Sequence, residues 1–104
     1  MIFIESQIFT EDVCELLTDE SYSELQQHLA ESPAIGDVIQ GCGGLRKVRW
    51  AAKGKGKRGG VRIIYYHLSA ASQIRLILIY RKGVKDDLCA TEKKILSVLN
   101  QEWE

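Results

Sequence analysis

Leu45-Arg46-Lys47-Val48-Arg49-Trp50-Ala51-Ala52, followed by Lys53-Gly54-Lys55-Gly56-Lys57-Arg58-Gly59-Gly60 and then by Val61-Arg62-Ile63-Ile64-Tyr65-Tyr66-His67-Leu68-Ser69, is the stretch that decides the fold. Its outer segments alternate cationic with apolar residues or run through β-branched and aromatic ones, the chemistry of a pleated, half-buried surface. The middle segment is lysine, arginine and glycine only, a permissive connection with nothing to bury. The whole reads as two strands, Leu45 to Ala52 and Val61 to Ser69, joined by a basic loop. Ile74 to Tyr80 is a third strand. Ala70-Ala71-Ser72-Gln73 lies between the last two, short enough for an antiparallel hairpin.

Working outward, residues 2 to 5 form a short first strand. Thr10 is placed to cap a short helix containing Val13, Leu16 and Leu17. A second helix runs from Asp19 to Glu31, with Tyr22, Leu25 and Leu29 at helical spacing, and Pro33 stops it. Residues 33 to 44 form a glycine-punctuated loop. Beyond the strands, a final helix starts near Thr91 with Glu92 in its first turn, and lays Ile95, Leu99 and Trp103 on one face. The predicted order is β-α-α-β-β-β-α: an α+β fold, two N-terminal helices and a C-terminal helix packed on a small antiparallel sheet. With 104 residues, the chain is expected to form a single domain, 1 to 104.

The composition, 45% hydrophobic and 27% charged, excludes a disordered chain. No apolar run approaches the length of a membrane span, and Met1 to Ile4 is too short for a secretory core. Cys14, Cys42 and Cys89 are odd in number and widely spaced, which implies free thiols in a reducing, cytoplasmic setting.

The formal net charge of zero conceals a sorted distribution. Residues 1 to 37 carry nine acids and no Lys or Arg; residues 38 to 85 carry twelve Lys and Arg and no acid; residues 86 to 104 carry five acids and two lysines. A solvated surface normally mixes signs. A block of 48 residues without a carboxylate is instead the footprint of phosphate or nucleic-acid contact.

Several motif readings fail on context. Gly54-x-Gly56-x-x-Gly59 matches a dinucleotide fingerprint in form, but a strand follows it where a helix is required, and no acid lies at the proper distance. The kinase glycine-rich loop fails for want of a catalytic His-Arg-Asp and an Asp-Phe-Gly. The cysteines, His28 and His67 have no metal-ligand spacing. No metal and no cofactor is implied. The central block, lacking carboxylates, cannot run a paired-carboxylate mechanism.

Cations alone can still cleave RNA through its 2′-hydroxyl. Arginine grips phosphate in a bidentate way and stays charged, and preorganised positive charge stabilises the phosphorane. A lysine crowded by like charges is pushed towards its neutral form and can move protons. Such a site needs the RNA held in a reactive geometry, which a ribosome can supply.

Gly36-Asp37-Val38-Ile39-Gln40-Gly41-Cys42-Gly43-Gly44-Leu45-Arg46-Lys47-Val48-Arg49, the basic loop through Tyr66, and Ile79-Tyr80-Arg81-Lys82 followed by Asp86-Asp87-Leu88 together resemble the HigB branch of the RelE toxin superfamily. The resemblance spans about residues 1 to 103. It implies a type II toxin–antitoxin messenger-RNA interferase: a ribosome-dependent endoribonuclease that inhibits translation, partnered by a helix-turn-helix antitoxin of the HigA type, and touching DNA only through that antitoxin. By the same resemblance Arg62 matches the central strand arginine of the catalytic site, Lys47 and Arg49 the basic pair on the preceding strand, Lys53, Lys55, Lys57 and Arg58 the branch's basic loop, and Lys82 the basic residue after the last strand. The superfamily's type member carries a catalytic tyrosine just beyond that strand. Here Leu88 lies near the place, with no aromatic residue close by.

The resulting expectation is a catalytic set of Arg62 as transition-state clamp, Lys82 for proton transfer, Lys55 and Lys57 positioning phosphate, and Tyr80 either stacking on a base or orienting Lys82. Lys47, Arg49, Lys53 and Arg58 bind RNA. For the loop lysines, simple steering of phosphate is the alternative to chemistry, and Tyr65 and Tyr66 read as sheet packing. The acidic helices should cover the face away from Arg62. Two other functions fit the same cations: a non-catalytic RNA- or ribosome-binding module, and a degenerate toxin kept as a protein-interaction partner.

Overall fold

The computed structural model describes residues 1–51, 60–83 and 88–102. In chain order they form β1 (Ile2–Glu5), α1 (Gln7–Leu16), α2 (Asp19–Glu31), β2 (Asp37–Val38), β3 (Arg46–Trp50), β4 (Val61–Leu68), β5 (Gln73–Arg81) and α3 (Ala90–Gln101). The sheet order is β1-β5-β4-β3-β2. The expected α+β architecture is present, with two additions. The two-residue β2 extends one edge, and β1 joins the other edge parallel to β5, so the sheet is mixed rather than wholly antiparallel. A parallel neighbour is possible because α1, α2 and the strands beyond them form the long crossover such pairing requires.

Central β4 explains the two-sided burial. Val61, Ile63, Ile64 and Tyr65 are all fully buried, as a strand covered on both faces must be. One face joins Val61, Ile63 and Tyr65 to Val48, Ile74, Leu76 and Ile79, and packs them against Phe9 and Val13 of α1 and Leu25 and Leu29 of α2. The other face joins Ile64, Leu45 and Ile77 to Cys42, Leu88 and Leu96 of α3. The register steps from Ile64↔Leu78 to Tyr65↔Leu76, leaving Ile77 as an extra residue on β5. This bulge interrupts the alternation, and both Ile77 and Leu78 turn towards the second core.

Local chemistry sets the helix starts. Ser6, not Thr10, caps α1: its side chain accepts from the Phe9 amide at 3.1 Å and donates to the Ile77 carbonyl at 2.7 Å. Thr10 lies within the helix, and its hydroxyl reaches back to Glu5 and to the Ser6 carbonyl. Thr18 caps α2 by accepting from the Ser21 amide, and Asp19 and Glu20 in the first turn suit the helix dipole. Tyr65 closes the loop after α2. Its hydroxyl donates to the Pro33 carbonyl at 2.8 Å and accepts from the Gly36 amide at 2.9 Å. A Cβ on Gly36 would stand 2.8 Å from the Tyr65 ring, so that position has room for no side chain.

The final helix departs from its expected face. Leu96 and Asn100 are its buried residues, whereas Ile95 and Leu99 are each 53% exposed. Trp103 lies outside the described residues. Asn100 can be buried because Arg75 of β5 donates to its carbonyl and to its side-chain oxygen at 3.0 and 3.2 Å. Helical spacing alone cannot show such a partner. No described helix is long and apolar enough to cross a membrane.

Candidate functional site

Three adjacent strands set one row of side chains side by side. Arg49 of β3 pairs with Arg62 of β4, and Arg62 pairs in turn with Tyr80 of β5. Arg62 is flanked in sequence by Val61 and Ile63, which enter the α1/α2 core, so strand alternation sends it to the opposite face. That is the α3 face, shared with Ile64. The helix covers only part of it. At the end carrying Arg62, a cavity of about 280 Å³ opens, lined by Arg49, Trp50, Ala51, Gly60, Arg62 and Lys82. The Lys82 amide donates to the Gly60 carbonyl at 3.0 Å, tying the start of the segment after β5 to the start of β4.

Arg62 is 8% exposed while Arg49 is exposed. A guanidinium held on a central strand keeps its orientation, and an exposed one beside it adapts. No carboxylate is among the described residues lining the cavity. Glu11, Glu15 and Glu24 belong to the helices packed on the other face, away from Arg62. Three cationic side chains around an open cavity, with no carboxylate among its described lining, are suited to grip a phosphate group.

The expected site residues do not all converge. Lys47 is half-buried and opposite Ile64, one row away, and does not line the cavity. Tyr80 stands beside Arg62 in the register but packs against the α3 core. Lys53, Lys55, Lys57 and Arg58 lie outside the described residues. Leu88 is buried with Leu96; its place is filled by a packing residue. Tyr65 is a core residue whose phenol is pushed up by burial, against smaller opposing effects of the Gly36 amide and Arg46. Tyr66 packs under the Arg75 guanidinium, 5.7 Å from its ring centroid. Arg75, counted in the basic block, thus serves to hold α3.

Trp50 is the lining residue that sequence reading passed over. Its indole N–H donates to the Ser21 hydroxyl of α2 at 3.1 Å, its ring lies 5.5 Å from that of His28, and it packs on the α1/α2 core. A tryptophan at a strand end beside an arginine was the available signal. The three cysteines are free thiols, and burial pushes the Cys42 thiol up. Among the described residues no cluster of His, Cys, Asp or Glu could hold a metal ion.

These elements define the class of fold as RelE-like α+β, three helices on both faces of a five-stranded sheet. No family model matches the sequence. Among solved structures, the chain is similar to the E. coli toxin RelE, in a double arginine-to-alanine mutant in the free state. The TM-score is 0.60 with 16% sequence identity, covering 95% of this chain and 95% of that one. At that identity, what the two share is the fold.

Proposed function

We propose that this protein is an endoribonuclease toxin of a type II toxin–antitoxin system, cutting messenger RNA on the ribosome in the manner of the HigB branch. The observation that carries the reading is the cavity lined by Arg49, Arg62 and Lys82, with no carboxylate among its described lining residues. The likeness of the fold to a RelE toxin supports it.

In this mechanism the messenger backbone lies across the end of the sheet. Arg62 grips the scissile phosphate and stabilises charge on the phosphorane, where preorganised donors have most effect. Arg49, with Lys47 and the loop cations Lys53, Lys55, Lys57 and Arg58, holds neighbouring phosphates. The 2′-oxygen loses its proton and bonds to phosphorus; the bond from phosphorus to the 5′-oxygen breaks; the 5′-oxygen takes up a proton. The products are a 2′,3′-cyclic phosphate and a 5′-hydroxyl. Lys82, exposed at the cavity, transfers a proton in one of these steps, and Tyr80, beside Arg62, stacks on a base or orients Lys82. The ribosome contributes the bent message. A helix-turn-helix antitoxin is the proposed partner.

The test is primer extension on a defined message, with and without ribosomes, for wild type and Arg62→Ala. Cuts that need both ribosomes and Arg62 are expected. Cuts without ribosomes make this a free ribonuclease. Absence of cuts from folded protein leaves a phosphate-gripping RNA- or ribosome-binding module.

A further inference from the structure

A second concavity has no part in that chemistry. It lies between the start of α1 and the outer side of α3, floored by Ile77 and Leu78 of β5 and walled by Ile8, Ile95 and Leu99, with a volume of about 280 Å³. A neighbouring hollow of about 230 Å³ continues it along Leu78, Ile95 and Leu96 to Leu88 and Glu92. Ile8, Ile95 and Leu99 are each more than half exposed, and Val98 is exposed beside them. A contiguous apolar surface of this kind on a small domain marks an interface.

The margins give its occupant a sign. On α1, Glu11 follows Ile8 by one turn and Glu15 by two, and both are exposed. On α3, Glu92 lies one turn before Ile95 and lines the hollow, and exposed Glu102 lies one turn beyond Leu99. Lys93 and Lys94 line neither hollow, and no lysine or arginine among the described residues does. The backbone gives the occupant a shape. Where Ile77 floors the groove, the β5 carbonyls an added strand would need are taken, the Leu76 carbonyl by the Ser6 amide and the Ile77 carbonyl by the Ser6 hydroxyl. A helix laying apolar side chains into the groove needs no main-chain partner.

We propose that this groove docks an amphipathic helix of a partner protein, apolar along the face that meets Ile8, Ile95 and Leu99 and bearing lysine or arginine along its margins. The acidic rim repels nucleic acid from this surface, as the cationic cavity repels a basic peptide from the other. Both share β5: Leu78 floors the groove, and Lys82, just past the strand's end, lines the cavity.

The probe is a fluorescein-labelled Leu/Lys helix of about 14 residues, roughly four turns, with a Leu/Glu peptide of the same pattern as control, read by anisotropy against the full chain. The Leu/Lys peptide should bind and the Leu/Glu peptide should not. Leu99→Ser should weaken binding about tenfold, the loss expected for one buried leucine side chain, and Glu11→Lys should weaken it by turning attraction for the partner's basic margin into repulsion. Both substituted positions are exposed, and unchanged circular dichroism checks that the variants fold. No binding of the Leu/Lys peptide, equal binding of the Leu/Glu peptide, or binding indifferent to Leu99→Ser would overturn the proposal. So would a concentration-dependent dimer in sedimentation that Leu99→Ser abolishes, because the occupant would then be a second copy.

Discussion

Arg49 and Arg62 stand directly opposite each other across β3 and β4, and both line the same cavity. Like charges at facing positions of a sheet destabilise it, and Arg62 is also almost wholly buried. Fold stability does not account for such a pair. An anion bridging the two guanidiniums would relieve it.

Arg62→Met should therefore separate stability from activity. The variant loses the repulsion and keeps most of the side chain's volume. We expect a thermal midpoint equal to or above wild type, by up to about 4 °C for a gain near 1 kcal/mol, together with complete loss of ribosome-dependent cuts. A large drop in the midpoint would show that Arg62 is structural.

Inorganic phosphate, with ionic strength held constant by sodium chloride, should raise the wild-type midpoint through binding to the folded state. The rise should shrink in Arg49→Met and vanish in Arg62→Met. Equal shifts in all three proteins would mean that phosphate acts on the surface in general and not in the cavity.

Lys82 distinguishes charge from proton transfer. Lys82→Arg keeps the cation but cannot give up a proton. Cleavage should fall about 100-fold, the scale of general acid–base catalysis, with RNA binding nearly unchanged and the pH dependence flattened. If Lys82→Arg cleaves like wild type, the residue serves only as a charge.

Arg75→Gln tests the opposite case, a cation from the basic block with a structural task. Its bonds to Asn100 hold the end of α3. Leaving the buried Asn100 oxygen without its charged donor should cost about 1–3 kcal/mol in urea unfolding. Cleavage per folded molecule should be unaltered.

Tyr65 sets an alkaline limit on stability. Burial holds its phenol above the ordinary value of 10.0, and Tyr22, half-buried beside the Glu5 carboxylate, is shifted in the same direction. In each case the folded chain keeps its proton more tightly than the unfolded chain. Their contribution is complete below pH about 10 and is lost as pH rises from there through the folded-state values. Thermal midpoints between about pH 8.5 and 11.5, spanning that ordinary value, should fall more steeply for wild type than for Tyr65→Phe. At neutral pH the variant should be weaker by about 1–3 kcal/mol, because the buried Gly36 amide loses its acceptor.

Much of this molecule is legible from local pattern. The three long strands follow from runs of Val, Ile and Tyr with glycine and small residues between them. The second helix follows from Thr18, the acids after it, and Leu25 and Leu29. The acidic helices lie on the face away from Arg62, as the sorted charge suggested, and what fixes them there is the packing of Phe9, Val13, Leu25 and Leu29 on that side of the sheet. Arg62 on a strand between two apolar neighbours needed only the alternation of side chains.

What tertiary structure alone decided depends on partners far apart in sequence. The cap of α1 is Ser6 because β5 offers it the Ile77 carbonyl; Thr10, equally suitable in type, has no such neighbour. The buried face of α3 is Leu96 and Asn100 because Arg75 satisfies the asparagine, and Ile95 and Leu99 are left on the surface although their spacing is that of a core stripe. Trp50 borders the cavity because α2 holds its ring in place. Local sequence determines which residues can form a helix or strand, since that choice depends on neighbours a few positions away. Which face is buried depends on a hydrogen-bond or packing partner supplied by another element, and that partner exists only once the chain has folded.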